Sequence, residues 1–232
     1  MAAPRYAIYF APASETLLGA YGASILGYDS HTGRSTTPAK LGGFSARDWQ
    51  AATAEPRRYG FHATLKAPFR LKCGPGENDL AAELRILAAR HEAVAVGPLE
   101  VAAIGDFIAL RPRYEGRAVN ALAQACVEHF ERFRSPLSDE ERQRRRPDQL
   151  TMRQRELLGT YGHPYVAEQY RFHMTLTGPI APDLQAEARR ALVARFVEIE
   201  PRPVIVDHIA LLKQDAPGAA FRVIASAPLV TA

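Results

Sequence analysis

Tyr59-Gly60-Phe61-His62-Ala63-Thr64-Leu65-Lys66-Ala67-Pro68-Phe69 is the stretch that decides how the rest of the chain is read. Taken with a period of two, it separates into two faces. Gly60, His62, Thr64, Lys66 and Pro68 fall on one, and Phe61, Ala63, Leu65, Ala67 and Phe69 on the other. Such alternation predicts a β-strand with one buried side, covered by a helix. The open side carries an imidazole, a hydroxyl and an ammonium in a row, three groups that hydrogen-bond an anion well.

The pattern returns as Tyr170-Arg171-Phe172-His173-Met174-Thr175-Leu176-Thr177-Gly178-Pro179-Ile180. Arg171, His173, Thr175 and Thr177 share one face, and Phe172, Met174 and Leu176 the other. Both copies contain Phe-His-x-Thr-Leu, and both meet a proline a few residues later. The same order of elements follows each. After the first copy come a helix over residues 78–91 and strands over 94–104 and 107–111. After the second come a helix over 184–197 and strands over 203–214 and 220–226. This is a two-copy repeat, too long in period and too few in number for a solenoid. Between the copies, apolar residues at helical spacing predict a helix over 117–134, and a second helical stretch is expected over 150–159. Ahead of the first copy, a strand runs up to Pro12 and a helix with Ser14 as N-cap extends to about Leu26.

The expected organisation is a single bilobal domain over residues 1–232. Its first motif lobe covers about 57–112, its helical insert about 117–160, and its second motif lobe about 168–228. The fold class is α+β: two antiparallel sheets related by a pseudo-two-fold axis, with helices outside and a cleft between them.

The chain has 232 residues, a net charge of +4 and only two cysteines. It is long enough for a substantial core. No apolar run is long enough to span a bilayer, and the start lacks the parts of a signal peptide, so a cytoplasmic protein without membrane contact is expected. Cys73 and Cys126 form no metal or redox motif and read as buried or partly buried free thiols. The small positive charge suits an anionic partner without requiring one.

Two histidines on equivalent strands can work as a pair. A neutral imidazole can take a proton from an attacking hydroxyl or water, and an imidazolium can give one to a leaving oxygen. Threonine hydroxyls two residues further on can hold the non-bridging oxygens of a phosphate, and such donors stabilise charge developing in a transition state. The paired His-x-Thr motifs resemble the two-histidine (2H) phosphoesterase superfamily, and their flanking residues resemble its bacterial phosphonate-metabolism branch. The resemblance covers most of the chain. It implies a bilobal 2H phosphoesterase-like fold with His62 and His173 as the catalytic pair and Thr64 and Thr175 as the phosphate-binding pair. Lys66, Arg171, Thr177 and Tyr59 become possible substrate-binding residues.

The activity it implies is that of a phosphoric diester hydrolase: a metal-independent cyclic phosphodiesterase, without cofactor, opening a small anionic cyclic phosphate such as a ribose cyclic phosphate to a phosphomonoester. Two alternatives stay open. One is an RNA 2′,3′-cyclic-end phosphodiesterase or ligase, and the other a non-catalytic module binding phosphorylated nucleotides or sugars. A monomer is the default.

Each of these residues also has a plainer interpretation. Threonine is common in strands for its shape alone, and a cation on a polar strand face is often merely solvated. Tyr6, Tyr9, Tyr59 and Phe61 read as core rather than as stacking platforms. His31, His91, His129, His163 and His208 share no spacing and read as surface or structural residues. No His-x-His or His-x-x-x-His cluster suggests a metal site. The basic run at 142–146 reads as a solvated face, because no aromatic residues interleave with its arginines. No Walker-type glycine-rich loop occurs in the sequence.

Overall fold

β1 (Arg5–Phe10) shows why this chain builds a two-sided sheet. Tyr6, Ile8 and Phe10 point into the main core, while Ala7 and Tyr9 point into a smaller cluster on the opposite face. The period-two geometry of a strand makes that division automatic. The computed structural model describes residues 3–114, 116–199 and 203–231.

After β1 the chain forms α1 (Leu17–Leu26), the short ribbon β2 (Tyr28–Asp29) and β3 (Arg34–Ser35), then α2 (Ala46–Ala52) and α3 (Ala54–Arg57). The first motif strand is β4 (Ala63–Phe69). It is followed by α4 (Glu77–Ala88), β5 (Val94–Gly97), β6 (Leu99–Ile104) and β7 (Phe107–Pro112). The segment between the motifs contains α5 (Arg117–Glu131), α6 (Asp139–Gln143) and α7 (Met152–Tyr161). The second motif strand, β8 (Met174–Thr175), precedes α8 (Pro182–Val197), β9 (Val204–Val206), β10 (His208–Gln214) and β11 (Arg222–Pro228).

Seven of these strands form one sheet in the order β11-β10-β1-β4-β8-β7-β6, and every neighbouring pair in it is antiparallel. β5 and β9 pair separately. The core lies between the sheet and the helices. Leu80, Leu84 and Leu87 of α4, Val119, Leu122, Cys126 and Phe130 of α5, and Ala188, Leu192 and Phe196 of α8 all enter it. Their spacing of three and four residues is the stripe that a covering helix needs.

The α+β class with antiparallel strands agrees with the sequence. The expectation of two sheets facing each other across a cleft does not. β4 and β8 are direct neighbours, paired through Ala63 and Met174, in one continuous sheet. The hairpin β6–β7 that follows the first motif lies beyond β8, and the hairpin β10–β11 that follows the second lies beyond β1 on the β4 side. Each motif strand thus finds its backbone hydrogen-bonding partners in the other half of the sequence, which joins the halves into one sheet.

The helix after β1 starts at Leu17 with Thr16 as its N-cap, accepting from the Gly19 N–H, while Ser14 donates instead to Asp29. The strand expected over 94–104 breaks into β5 and β6 at Gly97, whose φ is 84°. The second motif strand is also shorter than expected, and His62 and His173 both sit just ahead of their strands. Cys126 is buried but Cys73 is exposed, which corrects the expectation for Cys73. Among the described residues, no helix is long and apolar enough to cross a membrane.

Candidate functional site

The site grows from the Ala63–Met174 pair. In an antiparallel ladder the residues flanking a directly opposed pair face each other across the strands. One step to either side places His62 opposite Thr175 and Thr64 opposite His173. Ala63 and Met174 are both fully buried on the core side. The four flanking side chains therefore share the other face of the sheet, as a rough square about 5 Å across the strands and about 6.6 Å along them.

Both imidazoles are held in the same way. His62 Nδ1 lies 2.9 Å from the Gly60 carbonyl, and His173 Nδ1 lies 2.8 Å from the Arg171 carbonyl. A carbonyl only accepts, so each Nδ1 carries a proton, and Nε2 is the nitrogen that holds the lone pair whenever the ring is neutral. At His62 that lone pair accepts from the Thr64 hydroxyl at 3.2 Å. Gly60 can aim its carbonyl this way because its φ is 73°, in the left-handed region that glycine enters without strain. Tyr170 donates its hydroxyl to the Thr64 carbonyl at 2.9 Å, fastening the approach to the second motif onto the first motif strand.

The two rings differ in their surroundings. His62 stacks on Tyr9, with ring centres 3.7 Å apart and planes 15° from parallel. Burial pulls its pKa from 6.5 down to about 4, and nearby His173 adds to the fall. His62 is therefore neutral at pH 7. His173 packs beside Phe107, with ring centres 5.9 Å apart and planes tilted by 48°. A groove of about 320 Å³ opens on the His62 and Thr175 side of this four-residue patch, lined also by Thr177, Tyr59, Phe107 and Glu55.

Of the remaining sequence candidates, Tyr59 lies at this groove. Lys66 does not. The pairings Tyr9–Thr64 and Ile8–Lys66 leave Leu65 as an extra residue, a β-bulge that turns Lys66 toward the core face beside Ile8. Lys66 is only 3% exposed. Its ammonium donates to the Val127 carbonyl and to Glu131, each at 2.9 Å. Burial lowers its pKa, and Glu131 works against that shift. Thr177 lines the groove but its hydroxyl accepts from the buried Ile108 N–H at 3.0 Å. Arg171 is exposed and folds back onto the carbonyls of Glu168 and Tyr170.

Three partly or wholly enclosed side chains escaped the sequence reading. Tyr9, assigned to core, is the platform under His62. His163 is enclosed with an unpaired Nδ1, and its pKa is lowered to about 3 by burial first, then by Arg145 and His173. Arg145, from the basic run, turns inward and is half-buried. Only the two motifs carried a sequence signal, because the other three depend on contacts between distant segments. No group of three or more His, Cys, Asp or Glu suited to a metal ion occurs among the described residues.

A pair of imidazoles and a pair of hydroxyls on one sheet face are groups chemically able to hydrogen-bond an anion. The chain belongs to the family described as "Protein of unknown function (DUF1045)", whose model matches residues 64–222, from Thr64 of the first motif through the whole of the second. It is 35% identical over 221 residues to ribose 1,5-bisphosphate phosphokinase PhnN of Janthinobacterium sp. (strain Marseille), covering 94% of this chain and 49% of that protein. It is also 35% identical over 219 residues to the protein of the same name from Laribacter hongkongensis (strain HLHK9), covering 94% of this chain and 50% of the relative. The chain thus spans about half the length of the curated relatives it matches. These names correct the expected activity. A phosphokinase is a phosphoryl transferase, and neither relative is named as a hydrolase of cyclic phosphates.

Proposed function

We propose that this chain binds a phosphorylated ribose at the two-histidine groove and presents it for phosphoryl transfer. The observation that carries this reading is the square of His62, Thr64, His173 and Thr175 across adjacent antiparallel strands. The names of the relatives supply the ligand class, a ribose bearing phosphate.

The chemistry of each residue fits that task. Thr175 faces His62 and has no side-chain partner among the described residues, so its hydroxyl is available to a phosphate oxygen. The His173 Nε2 is likewise unengaged by its neighbours. Thr64 can turn its hydroxyl from His62 toward the ligand, leaving the His62 lone pair to accept a proton from a sugar hydroxyl or a phosphate monoanion. Phosphoryl transfer rests largely on positioning and charge stabilisation, which fixed imidazoles and hydroxyls supply. The sequence has no G-x-x-x-x-G-K-[ST] loop for a nucleotide. The acceptor sugar phosphate, rather than the phosphoryl donor, is the ligand assigned to these residues. The two motif segments, about 57–112 and 168–228, act as one unit because the square takes two corners from each. The paired motifs also support descent from the 2H superfamily and its phosphonate-metabolism branch.

Calorimetric titration with ribose 5-phosphate tests this. His173→Ala and Thr175→Val should each weaken binding by about tenfold or more, as expected for loss of a hydrogen bond to a charged group. Binding by the unaltered protein that neither substitution affects would place the sugar phosphate elsewhere.

A further inference from the structure

A second cavity, of about 810 Å³, opens beside the first, and Tyr59 and Glu55 line both. Six arginines line it: Arg5, Arg58, Arg70, Arg134, Arg144 and Arg145. Four of them have partners. Arg70 pairs with Glu141, Arg144 with Glu140 and Arg134 with Glu131, while Arg5 donates to the Gln214 side chain at 2.7 Å. Arg58 and Arg145 have no ion-pair or side-chain hydrogen-bond partner among the described residues.

Arg145 is the more telling of the two. It is half-buried in a wall that contains a second guanidinium, Arg5, and the aromatic ring of Tyr59. Burial lowers its pKa, partly opposed by Tyr59 and reinforced by Arg5. Removing a cation from water without an opposite charge is unfavourable, and a like charge nearby makes it more so. A bound anion relieves both costs, and a guanidinium fork matches phosphate oxygens in shape. Arg58 stands on the rim, where its carbonyl accepts from the Phe221 N–H at 2.7 Å and so fixes its backbone. Glu55, exposed at the junction of the cavities, is the remaining lining carboxylate without an ion pair among the described residues. A carboxylate there repels phosphate but accepts well from hydroxyls, which suits a sugar ring lying between two phosphates.

We propose that Arg145 and Arg58 form a second phosphate subsite, reached past Tyr59, that takes the other phosphate of a bisphosphorylated sugar anchored in the two-histidine groove. This subsite rests on the reading of that groove given under Proposed function. It separates the ligand's two ends by the chemistry that holds them: hydroxyls and imidazoles for one phosphate, guanidinium groups for the other.

Calorimetric titration of the full chain with ribose 1,5-bisphosphate and with ribose 5-phosphate, at one ionic strength, tests the subsite. The unaltered protein should bind the bisphosphate at least about tenfold more tightly than the monophosphate, the gain expected from a charge-assisted bidentate contact. Arg145→Gln should erase that advantage and change monophosphate affinity by less than about twofold, whereas Arg145→Lys should keep part of it. Arg58→Gln should act in the same direction and more weakly, since its side chain is exposed. Equal affinity for the two ligands in the unaltered protein overturns the second subsite and leaves the groove standing. Failure to bind either ligand overturns both. A loss in Arg145→Gln that is the same for both ligands also overturns the subsite, because it shows only a general field or a disturbed fold.

Discussion

His62 and His173 occupy equivalent positions in equivalent motifs, and each is pinned by the carbonyl two residues before it. They part company beyond that point. His62 lies against Tyr9, pulled down to a pKa of about 4 and bonded to its own threonine, whereas the Nε2 of His173 has no hydrogen-bond partner among the described residues. A repeated sequence here fixes ring orientation, and the non-repeated surroundings set electrostatics. The next alternate position shows the same division. Lys66 in the first motif and Thr177 in the second both turn into the interior, one held by Glu131 and one by the Ile108 backbone. Neither copy extends its open face beyond the threonine with a free cation.

Removal of the Lys66 ammonium should give the largest effect. Lys66→Ala leaves Glu131 partly buried with only Arg134 to balance it and opens space under α5, at a cost of about 4–5 kcal/mol in denaturant unfolding. Affinity for ribose 5-phosphate should be unchanged. A large loss of affinity with normal stability would return Lys66 to the ligand face.

The second test concerns pH. The folded pKa of His62, about 4, lies below the ordinary 6.5. Between those values the unfolded chain takes up a proton that the folded chain refuses. Stability therefore falls as pH drops from about 6.5 to about 4, and His62 accounts for about 3 kcal/mol of the fall. His163 acts in the same direction, with its pKa lowered to about 3. His62→Asn should remove its own share of the slope, while His163 keeps the remainder. Identical pH–stability curves for His62→Asn and the unaltered protein would erase the contrast between the motifs.

The smallest of these effects belongs to Thr177→Val, which keeps the shape and strips the acceptor from a buried N–H. About 1–2 kcal/mol of stability should be lost. A neutral result would mean that the Ile108 amide finds water from the groove.

The α+β class, the two motif segments and the covering helices were legible because they rest on local periodicity. The placement of His62 with Thr64, and of His173 with Thr175, is of the same kind. Whether β4 and β8 face each other across a gap or pair edge to edge depends on contacts more than 100 residues apart, and no periodicity encodes that choice. Lys66 was misplaced because one extra residue, Leu65, turns it to the opposite face, and a second irregularity before Phe69 returns that ring to the core face. Arg145 lay in a charge run whose exposed members, Arg142, Arg144 and Arg146, gave no sign that one arginine points inward. The activity was misjudged for a different reason. Imidazole and hydroxyl pairs specify that phosphate can be held, and leave open which bond to phosphorus is made or broken.

The exchange of hairpins between the halves also bears on the order of events as the chain folds. β4 is made early but lacks one neighbour until β8, scarcely two residues long, slots in beside it. β1 in turn waits for β10, some 200 residues downstream. Ladders closed over such sequence separations form slowly. The groove cannot exist until β8 has docked beside β4, and a chain cut short of β8 holds one half of the square with nothing opposite it.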